Sequence, residues 1–213
     1  MKYISVSPEQ HLSFSTTEIP QIKHNECLIK VKAIGINRAD ILQREGKYPP
    51  PKGESPILGL EVCGDIIACG QTVKHWQEGE RVFGLVAGGA YAEYAVINAD
   101  HLFKLPDDLN YQQGAGIAEV FLTAFQSLFK IASLKPKQKV FIHAGASGVG
   151  TAAIQLAKAQ QCFVVVSVSS ETKQKACLEL GADVAINYQE QDLVEWKKEN
   201  VPKGFDVIID FIA

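Results

Sequence analysis

The 213 residues carry 21 Lys and Arg against 24 Asp and Glu, a formal net charge of −3, with no basic run that would mark a nucleic-acid partner. With 46% hydrophobic residues, the chain can bury one large core or two smaller ones. The first twenty residues hold no apolar signal-peptide core, and no apolar run approaches the ~18 residues of a membrane helix, so no membrane partner is expected. Five cysteines (27, 63, 69, 162 and 177) are odd in number and form no Cys-x-x-Cys pair. That pattern indicates neither a disulfide framework nor a zinc ribbon, and a reducing, cytoplasmic setting is expected.

The first hundred residues read as short strands broken by turns. The stretches 26–33 and 62–68 alternate well enough for half-buried strands, and 77–84 is a turn feeding another. Paired glycines at 88 and 89 open a further strand expected to run to Val96, while three prolines at 49–51 stiffen a loop. Short strands at this spacing suggest a small, partly closed β-barrel.

The texture then changes. Residues 115–129 read as a helix, and from Val140 strands and helices alternate: strands at 140–144, 162–168, 183–187 and 205–211, helices at 149–160, 171–180 and 190–199. The expected fold is a β-rich front domain, 1–118, followed by a doubly wound α/β domain, 119–213. Its four strands would take the order 3-2-1-4. A full dinucleotide domain has about six, so the α/β part is expected to be incomplete, with an open edge.

The stretch 139–150, Lys-Val-Phe-Ile-His-Ala-Gly-Ala-Ser-Gly-Val-Gly, runs from an apolar strand through tiny residues into a helix. That context gives a dinucleotide fingerprint its meaning. Gly145 would permit the sharp turn out of the strand. Across the turn of Ala146 and Ser147, Gly148 and Val149 would aim free N–H groups at a pyrophosphate, and Gly150 would let helix and strand approach. Ser147 stands where the usual motif has its second glycine, and offers a hydroxyl to a phosphate or ribose oxygen.

Further motifs appear in order: Asn-Arg-Ala-Asp at 37–40, Gly-Lys-Tyr-Pro at 46–49, Gly-Leu-Glu at 59–61, Glu-Arg-Val-Phe at 80–83, Leu-Thr-Ala at 122–124 and the glycine turn at 143–150. With them the chain resembles the zinc-free quinone oxidoreductases of the medium-chain dehydrogenase/reductase superfamily, in detail the p53-inducible quinone oxidoreductase branch. The resemblance implies a GroES-like front domain, a Rossmann domain, a longer chain and a homodimer paired through a late strand that this chain lacks. At two places where zinc-dependent relatives carry a cysteine and a histidine ligand, this chain has Asn37 and Leu60. Neither builds a soft N/S zinc site, so a metal-free reductase of quinones or related enones is expected.

The cofactor expectation rests on the end of the second α/β strand. An NAD site usually carries an acid there, about 20 residues beyond the glycines. Here Ser169 and Ser170 follow the strand, and Glu171 falls in the next helix. Ser169, Ser170 and Lys173 could accept a 2′-phosphate, and the resemblance places Lys173 and Tyr188 on that phosphate, so NADPH is expected over NADH. It also puts Asn37 and Tyr48 in the cleft for substrate and nicotinamide, with Thr123, read as a helix start, beside the nicotinamide. Asp40 and Glu61 read as structural, His143 as a core histidine, and Tyr91 and Tyr94 as packing. Two other readings stay open: a double-bond reductase of 2-alkenals, and a non-catalytic chain that binds NADPH or a partner.

Overall fold

The computed structural model describes residues 1–211; Ile212 and Ala213, the last positions of the expected α/β domain, lie outside them. The chain divides into two compact units, Met1–Glu119 and the residues from Val120 onward.

In the first unit, β1 (Lys2–Val6) and β2 (Leu12–Thr16) form a hairpin. A five-stranded antiparallel sheet follows, built from β3 (Glu26–Ile34), β4 (Glu61–Cys69), β5 (Arg81–Leu85), β6 (Tyr94–Asn98) and β7 (Leu102–Lys104), in the order β6-β3-β4-β5-β7. Alternation puts Cys27, Ile29, Val62, Ile66, Val82, Ala95 and Ile97 into one core. The register of β3 on β4 shifts twice, between Leu28 and Ile29 and between Val31 and Ala33.

Short helices α1 (Arg38–Arg44) and α2 (Tyr111–Gly114) complete this unit. The strand expected from Gly88 begins only at Tyr94. Gly89 has a φ of 97°, and the Ala90 and Tyr91 N–H groups bond back to Gly59 and Leu58. That turn uses up the chain before it can extend.

Helix α3 (Ala118–Phe125) continues into a π-type segment, Gln126–Ile131. The expected helix 115–129 therefore starts later and widens at its end. The second unit then alternates β8 (Lys139–Ile142), α4 (Gly148–Ala159), β9 (Phe163–Val168), α5 (Glu171–Glu179), β10 (Val184–Asn187), α6 (Leu193–Asn200) and β11 (Val207–Ile209). All pairings are parallel and the order is β10-β9-β8-β11, the 3-2-1-4 arrangement read from the sequence. Val140, Ile142, Val164 and Val166 are fully buried with Ala153, Ile154 and Ala157 of α4. This is the apolar, β-branched run that a sheet covered by helices demands.

Candidate functional site

In the second unit, the carboxyl ends of β8, β9 and β10 gather the residues expected to hold a cofactor. β8 stops at Ile142, two residues short of expectation, because Ala144 takes a φ of 50°. The left-handed residue of the turn is thus Ala144 and not Gly145. Gly145 is required for a different reason: a Cβ there would lie 2.5 Å from Val166 Cβ on β9. Its N–H donates to Ser167 O at 3.0 Å, fastening the turn to that strand. At Gly150 a Cβ would strike the carbonyl of Ala144 and, at 2.7 Å, that of Gly145. The close approach it permits is between helix and turn, not between helix and strand.

Ser147 is the N-cap of α4, its Oγ accepting from Gly150 N–H at 3.0 Å. That oxygen is engaged as an acceptor in the cap, while the hydroxyl proton can still donate. Gly148 and Val149 occupy the first turn, where the helix itself offers their N–H groups no acceptor. Ser147 and Gly148 are exposed and Ala146 and Val149 half-buried, so an anion can reach this terminus.

Beside it, Lys173 Nζ donates to Ser169 Oγ at 2.9 Å just past the end of β9. Ser170 caps α5 by accepting from Lys173 N–H. Tyr188 follows β10 with an exposed ring, and its N–H donates to Val168 O at 3.1 Å. The backbone pairing of β9 and β10 thus sets Tyr188 next to the Ser169–Lys173 pair. Glu171, the acid that follows in the sequence, pairs with Lys175 at 2.8 Å. His143 is half-buried, 3.2 Å from the Ser167 hydroxyl and edge-on to Phe141, so it sits at the margin of the core and not within it as expected. Thr123 lies in the second turn of α3 rather than at a helix start, because the helix already begins at Ala118.

The first unit holds Asn37 and Tyr48. Asn37 is the N-cap of α1; its N–H donates to Asp40 Oδ2 at 2.8 Å and its Nδ2 to Glu61 Oε2 at 3.1 Å. Glu61 Oε1 accepts from Glu119 N–H at 3.0 Å, and Asp40 Oδ2 also accepts from Tyr91 Oη at 3.0 Å. Asp40 and Glu61 are both buried. Burial pushes the Glu61 carboxyl above its ordinary range, and the bonds from Glu119 and Asn37 pull partly against it. The structural role read for Asp40 and Glu61 is what these bonds describe, but Glu61 also fixes the Asn37 carboxamide. Nothing in the linear sequence signalled that link across 24 positions. Tyr48 is half exposed on the loop after α1.

Asn37 and Leu60 supply no soft donor. Among the described residues no group of three or more His, Cys, Asp or Glu side chains is placed to hold a metal ion. No helix among them is long and apolar enough to cross a membrane.

Two family models match: the alcohol dehydrogenase GroES-like domain over residues 23–107 and the zinc-binding dehydrogenase domain over 148–213. The quinone oxidoreductase of Lama guanicoe is 38% identical over 222 aligned residues, covering 100% of this chain and 66% of the relative. The solved quinone oxidoreductase of Coxiella burnetii superposes with a TM-score of 0.85 at 30% identity, covering 100% of this chain and 68% of that one. The Escherichia coli quinone oxidoreductase, solved in complex with NADPH, gives 0.80 at 35% identity over 93% of this chain and 61% of its own. The chain belongs to the quinone oxidoreductase family of the medium-chain dehydrogenase/reductase superfamily. It spans 40% to 66% of the length of the first curated relatives it matches.

Proposed function

We propose that this chain is the acceptor-binding domain and the first part of the cofactor domain of an NADPH-dependent, metal-free reductase of quinones or related electrophilic carbonyl compounds. The observation that carries the reading is the pair Lys173 Nζ–Ser169 Oγ just beyond β9, with the neighbouring acid Glu171 turned to Lys175. A cation and a hydroxyl at this place suit a ribose 2′-phosphate, whereas a 2′-hydroxyl calls for a carboxylate. The relative solved with NADPH supports the same choice.

When bound, NADPH supplies the hydride. The Gly148 and Val149 N–H groups and the Ser147 hydroxyl would hold the pyrophosphate at the α4 terminus. Lys173, Ser169 and Tyr188 would hold the 2′-phosphate, and Thr123 would flank the nicotinamide. Asn37 Nδ2 keeps one N–H after its bond to Glu61; with the Tyr48 hydroxyl it would donate to the acceptor oxygen as negative charge develops there. Positioning does the remaining work. Asparagine and leucine at 37 and 60 leave no place for a zinc Lewis acid in this scheme.

Fluorescence titration of the chain with NADPH and, separately, NADH tests the reading. The expected result is saturable binding at least about tenfold tighter for NADPH, the worth of one good charged contact. Tighter NADH binding overturns it. Steady-state rates on a simple quinone and on a 2-alkenal then identify the acceptor class, with the quinone expected to be faster.

A further inference from the structure

In the first unit, β3 and β4 bring Cys27 and Cys69 directly opposite each other, 42 positions apart in sequence. The Gly70 N–H donates to Glu26 O at 2.8 Å. The ladder bond therefore belongs to the adjacent pair, and the cysteines occupy the non-bonded position where facing side chains come closest. Their sulfurs are 3.8 Å apart, with Cys69 Sγ also 3.7 Å from Trp76 O. Cys69 is the one cysteine of the five that is not buried. Burial and the contact with Cys69 push the Cys27 thiol up to about 12, and burial pushes Cys63 up to about 11 and raises Cys162 and Cys177. A reagent in water thus meets Cys69 first, and the group waiting beside it is Cys27.

We propose that Cys27 and Cys69 form an oxidisable dithiol, a modification site whose co-substrate is a low-molecular-weight disulfide. The Cys69 thiolate attacks one sulfur of that disulfide and releases the other half as a thiolate. Cys27 then gives up its proton and attacks Cys69 Sγ, expelling the second half. Two protein thiols are oxidised and one small disulfide is reduced to two thiols. The sulfurs close to the ~2 Å of a disulfide by side-chain rotation, because the strands already hold the two residues in register. The new bond closes a loop that carries Asn37, Asp40, Tyr48 and Glu61, the acceptor-side residues of the first unit. It removes freedom from the unfolded chain and should raise the unfolding temperature by about 5–10 °C.

The experiment is incubation of the fully reduced chain with oxidised glutathione, followed by thiol counting in denaturant, intact mass and peptide mapping. The expected result is two fewer free thiols than the initial five, a mass loss of two hydrogen atoms, a linked Cys27–Cys69 peptide pair and full reversal by dithiothreitol. Cys27→Ser should stop at a glutathione adduct on Cys69, and Cys69→Ser should keep all its thiols. Should either variant fail to fold, the wild-type peptide map decides by itself. Persistence of all five thiols, or accumulation of a glutathione adduct on wild-type Cys69 without the linked peptide, overturns the proposal.

Discussion

The Asn37 carboxamide donates to Glu61 Oε2 at 3.1 Å while the other oxygen of the same carboxylate accepts the Glu119 N–H at 3.0 Å. One buried side chain thereby ties the N-terminus of α1, the start of β4 and the start of α3. Both of its partners are donors, so Glu61→Gln must turn an N–H toward one of them. That variant should lose about 1–2 kcal/mol of stability, read by urea unfolding.

The same residue sets a pH dependence. Burial raises the Glu61 carboxyl, and burial together with the Asp40 charge raises that of Glu119. In the window between the unfolded value and the raised folded one, the native state binds more protons than the unfolded chain. The stability these groups contribute is complete below the unfolded value and declines as pH rises through the folded one. Unfolding temperatures measured upward from pH 4 should show this decline, and Glu61→Gln should flatten it.

Ser147 combines two roles that substitution can separate. Ser147→Ala removes the acceptor of Gly150 N–H and should cost about 1 kcal/mol. Ser147→Asp keeps a capping oxygen but sets a negative charge where the pyrophosphate would lie. It should retain stability while weakening NADPH binding by about tenfold or more. Calorimetric unfolding read beside nucleotide titration checks the split.

Gly145→Ala drives a methyl group against Val166, with Cβ to Cβ at 2.5 Å. Neither atom sits at the end of a flexible side chain, so the turn or β9 must move, at a cost of about 1–3 kcal/mol. Val166→Ala introduced in the same chain should not relieve it, because the clashing Cβ remains. Gdm-chloride midpoints of the single and the double variant test this.

Lys173→Ala removes the cation beside Ser169. NADPH affinity should fall about tenfold while NADH affinity stays put, since only the 2′-phosphate is lost as a partner. An equal drop for both nucleotides would assign Lys173 to something other than that phosphate.

Most of the second unit was legible in the sequence because its signals are local. Valine-rich β9, the Gly181 stop after α5, whose φ is 102°, and the regular strand–helix alternation fix the order of the parallel sheet. The first unit was less legible. Its opening hairpin was not foreseen, because β1 and β2 bury almost nothing and Phe14 is 82% exposed. Helix α1 was missed because its seven residues are fixed by the Asn37–Asp40 cap and the distant Tyr91 and Glu61, not by an apolar stripe. The strand, turn and helix around the glycines were read correctly, but the bend was assigned to Gly145 where Ala144 takes it, since small residues do not announce which of them adopts the left-handed angle. The partner of Cys69 comes from strand register and those of Glu61 from the starts of α1 and α3, and a single chain spells out neither.

The two register shifts between β3 and β4 compensate each other. Ile67 is the surplus residue on β4 and Lys32 the surplus residue on β3. Between them, three residue pairs run one step out of phase, and beyond each end the original phase returns. The ribbon therefore behaves like a pair of gears with one extra tooth on each wheel. Deleting Ile67 alone would close that bulge and leave Ile66 opposite Ile29, Ala68 opposite Leu28 and Cys69 opposite Cys27, so the surplus residue can be lost without turning either strand over. Natural variation in length within this ribbon should fall at Ile67 and at Lys32, each lost or kept independently of the other.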